Sequence, residues 1–329
     1  MLDLDVSNAA RFVAERLGFH KDSLRVTALG GGVSNTVLLI EGPQRRLVVK
    51  QSLARLRVEQ DWFSSRDRVF REAAALRWLA PHLPPGAVPA VVFEDRENYA
   101  FAMTAAPAQA RTWKSLLMEG RADPAVARRV ASLLTRIMQA SWLDAGAAAR
   151  FGDQSVFDEL RLDPYYRATA ARHPDLAEFF HTLVETYPQR RLCLVHGDWS
   201  PKNFLIWDGS VMAIDFEVIH FGDPVFDAAF LLNHLLLKSF HRPECAPRYR
   251  ELAAVFWETL EGELPENPEQ FQAGVIRHLG ALLLARIDGK SPVEYIREEA
   301  VKQRVRNFAR ALIANPPGRI AAIFDRVRS

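Results

Sequence analysis

The feature that most constrains the fold of this chain is the stretch 196–227, HGDWSPKNFLIWDGSVMAIDFEVIHFGDPVFD. The apolar run Leu192–Val195 reads as a buried strand that delivers His196-Gly197-Asp198 to its end. Phe204–Trp207, Asp208-Gly209 and Val211–Ile214 read as strand, two-residue turn and strand, because Asp-Gly accepts the positive φ angles of a type I′ hairpin. The hairpin is expected to bring Asn203 and Asp215 back toward Asp198, so that two carboxylates and one amide oxygen share an edge.

Such a donor set suits a hard cation. Mg²⁺ takes oxygen ligands, usually one or two carboxylates together with phosphate oxygens. A further carboxylate can orient a hydroxyl and accept its proton. The spacing H-G-D-x-x-x-x-N is that of the kinase catalytic loop H-R-D-x-x-x-x-N, with Gly197 in the arginine position, and Asp215-Phe216-Glu217 stands where protein kinases carry D-F-G. The whole stretch resembles the aminoglycoside phosphotransferase / choline kinase superfamily of small-molecule kinases. The resemblance implies an α+β, protein-kinase-like fold of two lobes. Residues 1–106 would form a small antiparallel β lobe that binds nucleotide, and residues 107–329 a larger, mainly helical lobe for catalysis and acceptor binding. It also implies roles: Asp198 as catalytic base or orienter, Lys202 as a charge neutraliser on the transferring phosphate, Asn203 and Asp215 as Mg²⁺ ligands, and Asp227 as a support for the catalytic loop.

The order of the upstream segments agrees with this reading. Leu24–Leu29, Val33–Ile40 and Leu47–Gln51 read as strands, with Gly30-Gly31-Gly32 between the first two. Glycines let backbone N–H groups approach phosphate oxygens. GGGVSNT is similar to the G-G-x-S-N loop of the small-molecule kinases, where Ser34 and Asn35 add side-chain donors. Lys50 ends the third strand, and Glu72 lies on a helix expected over Arg66–Leu79. In a kinase-like lobe these two form an ion pair that places the lysine on the nucleotide phosphates. Ala90–Glu94 and Tyr99–Thr104 read as a hairpin. The connector Ala105-Ala106-Pro107-Ala108 follows, where Ala105 is expected to read the adenine edge through its backbone.

Further along, Thr112–Glu119 and the segment opened by Asp123-Pro124 read as helices, the second with Asp as N-cap and Pro at N1. Phe151–Arg172 reads as irregular, and Leu176–Tyr187 as a helix. Pro224–Phe240 lacks a polar face and is expected to be buried. Tyr249–Leu260, Phe271–Arg286 and Val293–Ala314 read as amphipathic helices. Ser7 is the expected N-cap of a helix ending at Leu17.

The acceptor is less determined. Only residues 216–226 separate Asp215 from Asp227, too few for the activation segment and peptide platform of a protein kinase, so a small molecule is expected. A cationic acceptor would need acids around it. Glu217, Asp223, Asp158, Glu159 and Asp163 are available, with Tyr165, Tyr166 and Trp199 as aromatic faces for an ammonium group. This favours an amino alcohol or amino sugar, with Glu217 and Trp199 nearest the chemistry. The alternatives are a kinase for a neutral sugar-like substrate and a catalytically silent nucleotide- or metabolite-binding module.

Composition bounds the partners. A net charge of +2 over 329 residues offers no electrostatic case for nucleic acid or an anionic membrane. Two cysteines are too few for a disulfide framework, which points to the cytoplasm. Nine histidines lack metal-ligand spacing. ATP and Mg²⁺ are the expected cofactors, and the sequence is silent on oligomeric state.

Overall fold

The computed structural model describes residues 2–30, 34–43, 45–53 and 64–326. The chain divides into two compact units, Met1–Ala110 with Met212–Val218, and Arg111–Val211 with Ile219–Ser329.

The first unit holds helix α1 (Ala9–Leu17), strands β1 (Arg25–Ala28), β2 (Asn35–Glu41) and β3 (Arg46–Ser52), helix α2 (Arg68–Leu79), and strands β4 (Val91–Asp95) and β5 (Ala100–Thr104). The strands form one antiparallel sheet in the order β1-β2-β3-β5-β4. Side chains alternate between faces along a strand. Leu47 and Val49 of β3 therefore join Leu38, Ile40, Phe12 and Val13 in the core beneath α1. Gln51 lies on the same side and ties down the N-terminal segment, accepting from the Leu4 amide at 2.7 Å and donating to Leu2 O at 2.7 Å. Lys50, one residue out of phase, takes the face that α2 covers. The returning segment Met212–Val218 is fastened to this unit by Ala213 N–H on Ala87 O at 2.8 Å.

The second unit is mainly helical. It begins with strand β6 (Arg111–Thr112) and helices α3 (Trp113–Met118), α4 (Pro124–Ser141), α5 (Ala145–Phe151) and α6 (Ser155–Phe157). A widened, π-type helical segment Asp158–Arg167 runs into α7 (Ala168–Arg172), followed by α8 (Ala177–Thr186). Strands β7 (Cys193–Val195) and β8 (Phe204–Trp207) come next, then β9 (Ser210–Ala213), whose last two residues already belong to the returning segment of the first unit, and β10 (His220–Gly222). Helices α9 (Val225–His241), α10 (Ala246–Glu261), α11 (Pro268–Asp288), α12 (Glu299–Ala314) and α13 (Ala321–Arg326) close the chain. Every residue from Val225 to Phe240 is buried, as the absence of a polar face requires, with α10 and α11 packed on α9. β7 pairs antiparallel with β10, Val195 facing His220. Asp208 and Gly209 at φ 44° and 73° make the tight turn between β8 and β9. Thr112 and Asp123 cap α3 and α4 through their side chains.

Three expectations need correction. Ser7 does not cap α1: its N–H and hydroxyl both donate to Asp5 Oδ1, at 2.8 and 2.6 Å, and Asp5 gathers the turn instead. The segment 155–172 is helical rather than irregular. Pro164 has no N–H to give, and the helix widens around it instead of breaking. The last long helix begins at Glu299, not at Val293. Among the described residues, no helix is long and apolar enough to cross a membrane.

Candidate active site

In the first unit the site is built on Lys50. The strand turns its side chain toward α2, where its Nζ lies 2.8 and 2.9 Å from the two carboxylate oxygens of Glu72. It also lies 2.7 Å from Asp215 Oδ1. Burial opposes the charge on Lys50, but the carboxylates of Asp215, Glu72 and Glu217 outweigh it and hold the ammonium above its ordinary value. Burial pushes the Glu72 carboxyl up to about 7, against the pull of Lys50. Glu72 Oε1 also accepts the Phe216 amide at 3.3 Å, so the helix carboxylate fixes both the lysine and the backbone next to Asp215. Asp215 itself sits at φ 72°. This left-handed conformation costs a non-glycine residue about 1 kcal/mol, and aspartate tolerates it better than most. Its side chain is 25 % exposed, against 1 % for Glu72, so Asp215 is the carboxylate of the group that opens to a ligand.

Two residues beyond, Glu217 is buried and engaged. It accepts Ser34 Oγ at 2.6 Å, Asn35 Nδ2 at 2.8 Å and Arg68 Nε at 3.2 Å. The Arg68 guanidinium also binds the backbone carbonyls of Ser34 and Leu53. Glu217 therefore ties the end of the glycine-rich loop to the segment that carries Asp215.

In the second unit the site is built on Asp198. β7 ends at Val195, and Gly197 turns the chain at φ 76°. The Asp227 carboxylate at the start of α9 accepts the amides of His196 at 2.7 Å and Gly197 at 2.9 Å. Burial pushes its carboxyl up to about 7, opposed by those two N–H groups. The Asp198 amide donates to His196 Nδ1 at 3.1 Å, which leaves the imidazole proton on Nε2 when the ring is neutral. Asp198 Oδ2 meets Lys202 Nζ at 2.8 Å and Arg161 at 2.9 Å, while Oδ1 accepts Ser200 Oγ at 3.0 Å. Burial works against this carboxylate, but Lys202 and Arg161 prevail and hold it well below the usual range, so it is ionised at neutral pH. Asn203 donates its amide nitrogen to Asp198 O at 2.9 Å, which makes its oxygen the end that can face a cation.

The structure treats the sequence-derived residues unequally. Lys50 joins Glu72 and Asp215, and Glu217 joins Ser34 and Asn35, all in the first unit. Asp198, Lys202 and Asn203 gather in the second. Gly30 is exposed with open space around it, and Gly31 and Gly32 lie outside the described residues. The Ala105 amide is occupied by Arg46 O at 3.0 Å. Trp199 is a correction: it is 0 % exposed, packed against His196 and Phe204, and presents no face to an acceptor. Glu217, the other residue expected beside the acceptor, is buried and held by Ser34, Asn35 and Arg68. The other acids proposed for an amine are mostly paired as well: Asp223 with Arg190, Asp158 with Arg167, and Asp163 with Lys290. Sequence reasoning missed Arg161. It lies in the segment read as irregular, its partner Asp198 is far away in the chain, and no motif marks it.

Among the described residues, no group of three His, Cys, Asp or Glu side chains is placed to hold a metal ion. Taken each by itself, the partly exposed Asp215 carboxylate in the first unit and the oriented Asn203 oxygen in the second are hard oxygen donors of the kind Mg²⁺ takes, and neither belongs to a zinc-type ligand set.

Known proteins support the same class. The model of a phosphotransferase enzyme family, APH, matches residues 25–262. A methylthioribose kinase of Escherichia coli O45:K1 is 26% identical over 247 residues, 67% of this chain, and the match spans 59% of that enzyme's length. Among solved structures, the amicoumacin kinase hAmiN in complex with AMP-PNP, Ca²⁺ and Ami superposes with a TM-score of 0.62 at 15% identity, covering 97% of this chain and 98% of that one. A choline/ethanolamine kinase family protein from Mesorhizobium loti gives 0.57 at 17% identity, covering 98% of both chains. These two likenesses establish the protein-kinase-like fold.

The geometry of the second unit can be tested in two ways. Asp227→Ala strands the His196 and Gly197 amides, each costing about 1–3 kcal/mol when buried without an acceptor. Urea unfolding should show a loss of about 3 kcal/mol, and roughly half that for Asp227→Asn, which keeps one acceptor. Equal stability of Asp227→Ala and the parent would mean that the two amides do not depend on this carboxylate. Lys202→Met removes one of the two cations that hold Asp198 ionised, so its carboxyl must rise toward the ordinary value. The acid limb of the pH–rate profile should then move to higher pH, only partly, because Arg161 remains. An unmoved limb would separate Lys202 from the ionisation of Asp198.

Proposed function

We propose that this chain, which belongs to the phosphotransferase enzyme family, transfers the γ-phosphoryl group of ATP to a hydroxyl of a small molecule with the help of Mg²⁺. The observation that carries the proposal is the Asp198 carboxylate, kept ionised by Lys202 and Arg161 on a loop whose backbone hangs from Asp227. A carboxylate so held is suited to orient an acceptor hydroxyl and take up its proton.

The remaining roles follow from chemistry. Lys50, oriented by Glu72, binds the nucleotide phosphates. Lys202 offsets charge on the transferring group as the Asp198 proton is gained. Asp215 and Asn203 would supply oxygen donors to a divalent metal, whose charge would offset that of the nucleotide phosphates. The amicoumacin kinase is in complex with AMP-PNP and Ca²⁺, an ATP analogue and a divalent ion, and this supports the choice of cofactors.

The acceptor is proposed to be a hydroxylated, sugar-like molecule. The acids that would pair with an amine are largely engaged elsewhere in the protein, and the name of the E. coli relative, a methylthioribose kinase, points to a sugar. The two cysteines, both free, suit a cytoplasmic enzyme.

The direct test of cofactor use is ligand-dependent stability. ATP at a hundredfold over its dissociation constant should add about 2.7 kcal/mol in the presence of Mg²⁺ or Mn²⁺. It should add much less in EDTA, and Asp215→Asn should lose the difference. Equal stabilisation with and without metal would contradict the assignment of Asp215.

A further inference from the structure

A continuous file of side chains runs from Asp198 into the helical part of the second unit. Arg161, paired with Asp198, lies 5.7 Å from the Tyr165 ring and 5.9 Å from that of Phe230. Phe230 meets His234 at 5.1 Å, one helical turn along α9, and Lys238 follows one turn further. From α11, Arg286 donates to the Tyr165 hydroxyl at 3.2 Å, with its Cζ 5.4 Å from that ring. Lys238 Nζ sits 5.1 Å from the ring of Tyr295.

The far end of this file has donors and, among the described residues, no carboxylate in direct contact with them. Lys238 is 1% exposed, yet among the described residues no carboxylate lies within 4 Å of its ammonium. The hydrogen bond it makes is a 3.5 Å contact to His234 O, at the limit of such a bond. Among the described residues the acid that acts on it is Glu294, and Glu294 is bound to Lys114. Arg286, 9% exposed, spends Nη1 on Tyr165 and Ser291, leaves Nε unpartnered, and among the described residues has no carboxylate either. The buried Tyr295 hydroxyl is unpartnered as well. Burying a charge without a counter-charge is costly, and a buried donor without an acceptor costs the full desolvation penalty. Consistent with this, burial, with Lys114 next, pulls Lys238 down to about 7.

We propose that Lys238 and Arg286 form an anion subsite for the acceptor, so that the molecule phosphorylated is a hydroxylated compound carrying a carboxylate or phosphate group, its hydroxyl at Asp198 and its anion on the α9–α11 cations. The position of Asp198 in this picture rests on the kinase reading above, whereas the anion subsite itself does not. An amine-bearing acceptor would face cations along this file, with Arg161, Arg286 and Lys238 all against it. The anion supplies the missing acceptors: two oxygens for Lys238 and Arg286, and a partner for the Tyr295 hydroxyl.

The test uses the full chain and two readouts. In the first, thermal unfolding is followed with phosphate or malonate against chloride at matched ionic strength. The parent should be stabilised by phosphate, malonate or both, and Lys238→Met and Lys238→Gln should lose most of that shift. Because Met removes an uncompensated buried charge at similar volume, Lys238→Met should fold and be at least as stable as the parent without anion. In the second, ATP consumption is compared over a sugar acid, a sugar phosphate and the matching neutral and amino sugars. The anionic members should be preferred, the better one naming the group recognised. Lys238→Met should raise their KM about tenfold or more, with a smaller effect on kcat and none on the neutral sugar. No Lys238-dependent anion shift, or a preference for the neutral or amino sugar that Lys238→Met leaves untouched, would overturn the proposal. An anion shift that depends on Lys238 in a protein that consumes no ATP would support the subsite while removing the kinase reading.

Discussion

A lysine ammonium at 5% exposure has to be paired, and much of the first unit is arranged around that requirement. Strand alternation sends Lys50 to the face opposite Val49, under α2. Glu72 waits there on the buried side of the helix, and Asp215 closes the third position. Because Glu72 also accepts the Phe216 amide, the ion pair and the backbone beside the left-handed Asp215 are one construction. Removing Lys50 would leave Glu72 and Asp215 as two neighbouring carboxylates with no cation between them, Glu72 in a place that water does not reach. Glu217 and Arg68 repeat the device next to it, with the end of the glycine-rich loop as their load.

The second unit solves the converse problem, which is to keep a carboxylate charged although burial resists it. Lys202 is half-exposed and four residues along the chain, so solvent screens part of its contribution. Arg161 is buried, reaches Gly197 O at 2.5 Å as well as Asp198, and lies in the widened helix around Pro164. π-type widening of a helix frequently accompanies a functional residue, and here it accompanies the cation that serves Asp198. Asp227 holds the loop backbone through two amides, at the start of a helix buried along nearly its whole length. The same helix carries Lys238 three turns later, so one rigid element joins the support of the loop to the proposed anion subsite.

What was legible in the sequence was mostly local or periodic. Asp208-Gly209 announces its hairpin because few dipeptides accept two positive φ angles. The apolar run of α9 announces its burial. The pairing of Lys50 with Glu72 and the clasp of Asp227 on the His196 and Gly197 amides were readable only through the spacing of the 196–227 stretch and the family it resembles. Contacts without a pattern were not readable. Ser34 and Asn35 find Glu217 across the length of the sheet unit, and Arg161 finds Asp198 across two intervening helices and a strand. Trp199 looked available because it neighbours Asp198 in sequence, but the loop turns its indole inward onto Phe204. The acids of 158–163 looked free because the segment reads as irregular in sequence: its helical winding brings Arg167 back to Asp158, and Lys290 reaches Asp163 from far along the chain.

The central claim is that an ionised Asp198 serves phosphoryl transfer to an alcohol. It is tested most directly by following the label of γ-labelled ATP in the presence of a library of hydroxylated acids, phosphates and neutral sugars. The account predicts that the label appears in an organic phosphate ester with the parent protein and falls by about 10²–10⁴-fold with Asp198→Asn, while ATP still binds. Label found only in ATP and inorganic phosphate, or transferred equally by Asp198→Asn, would contradict it.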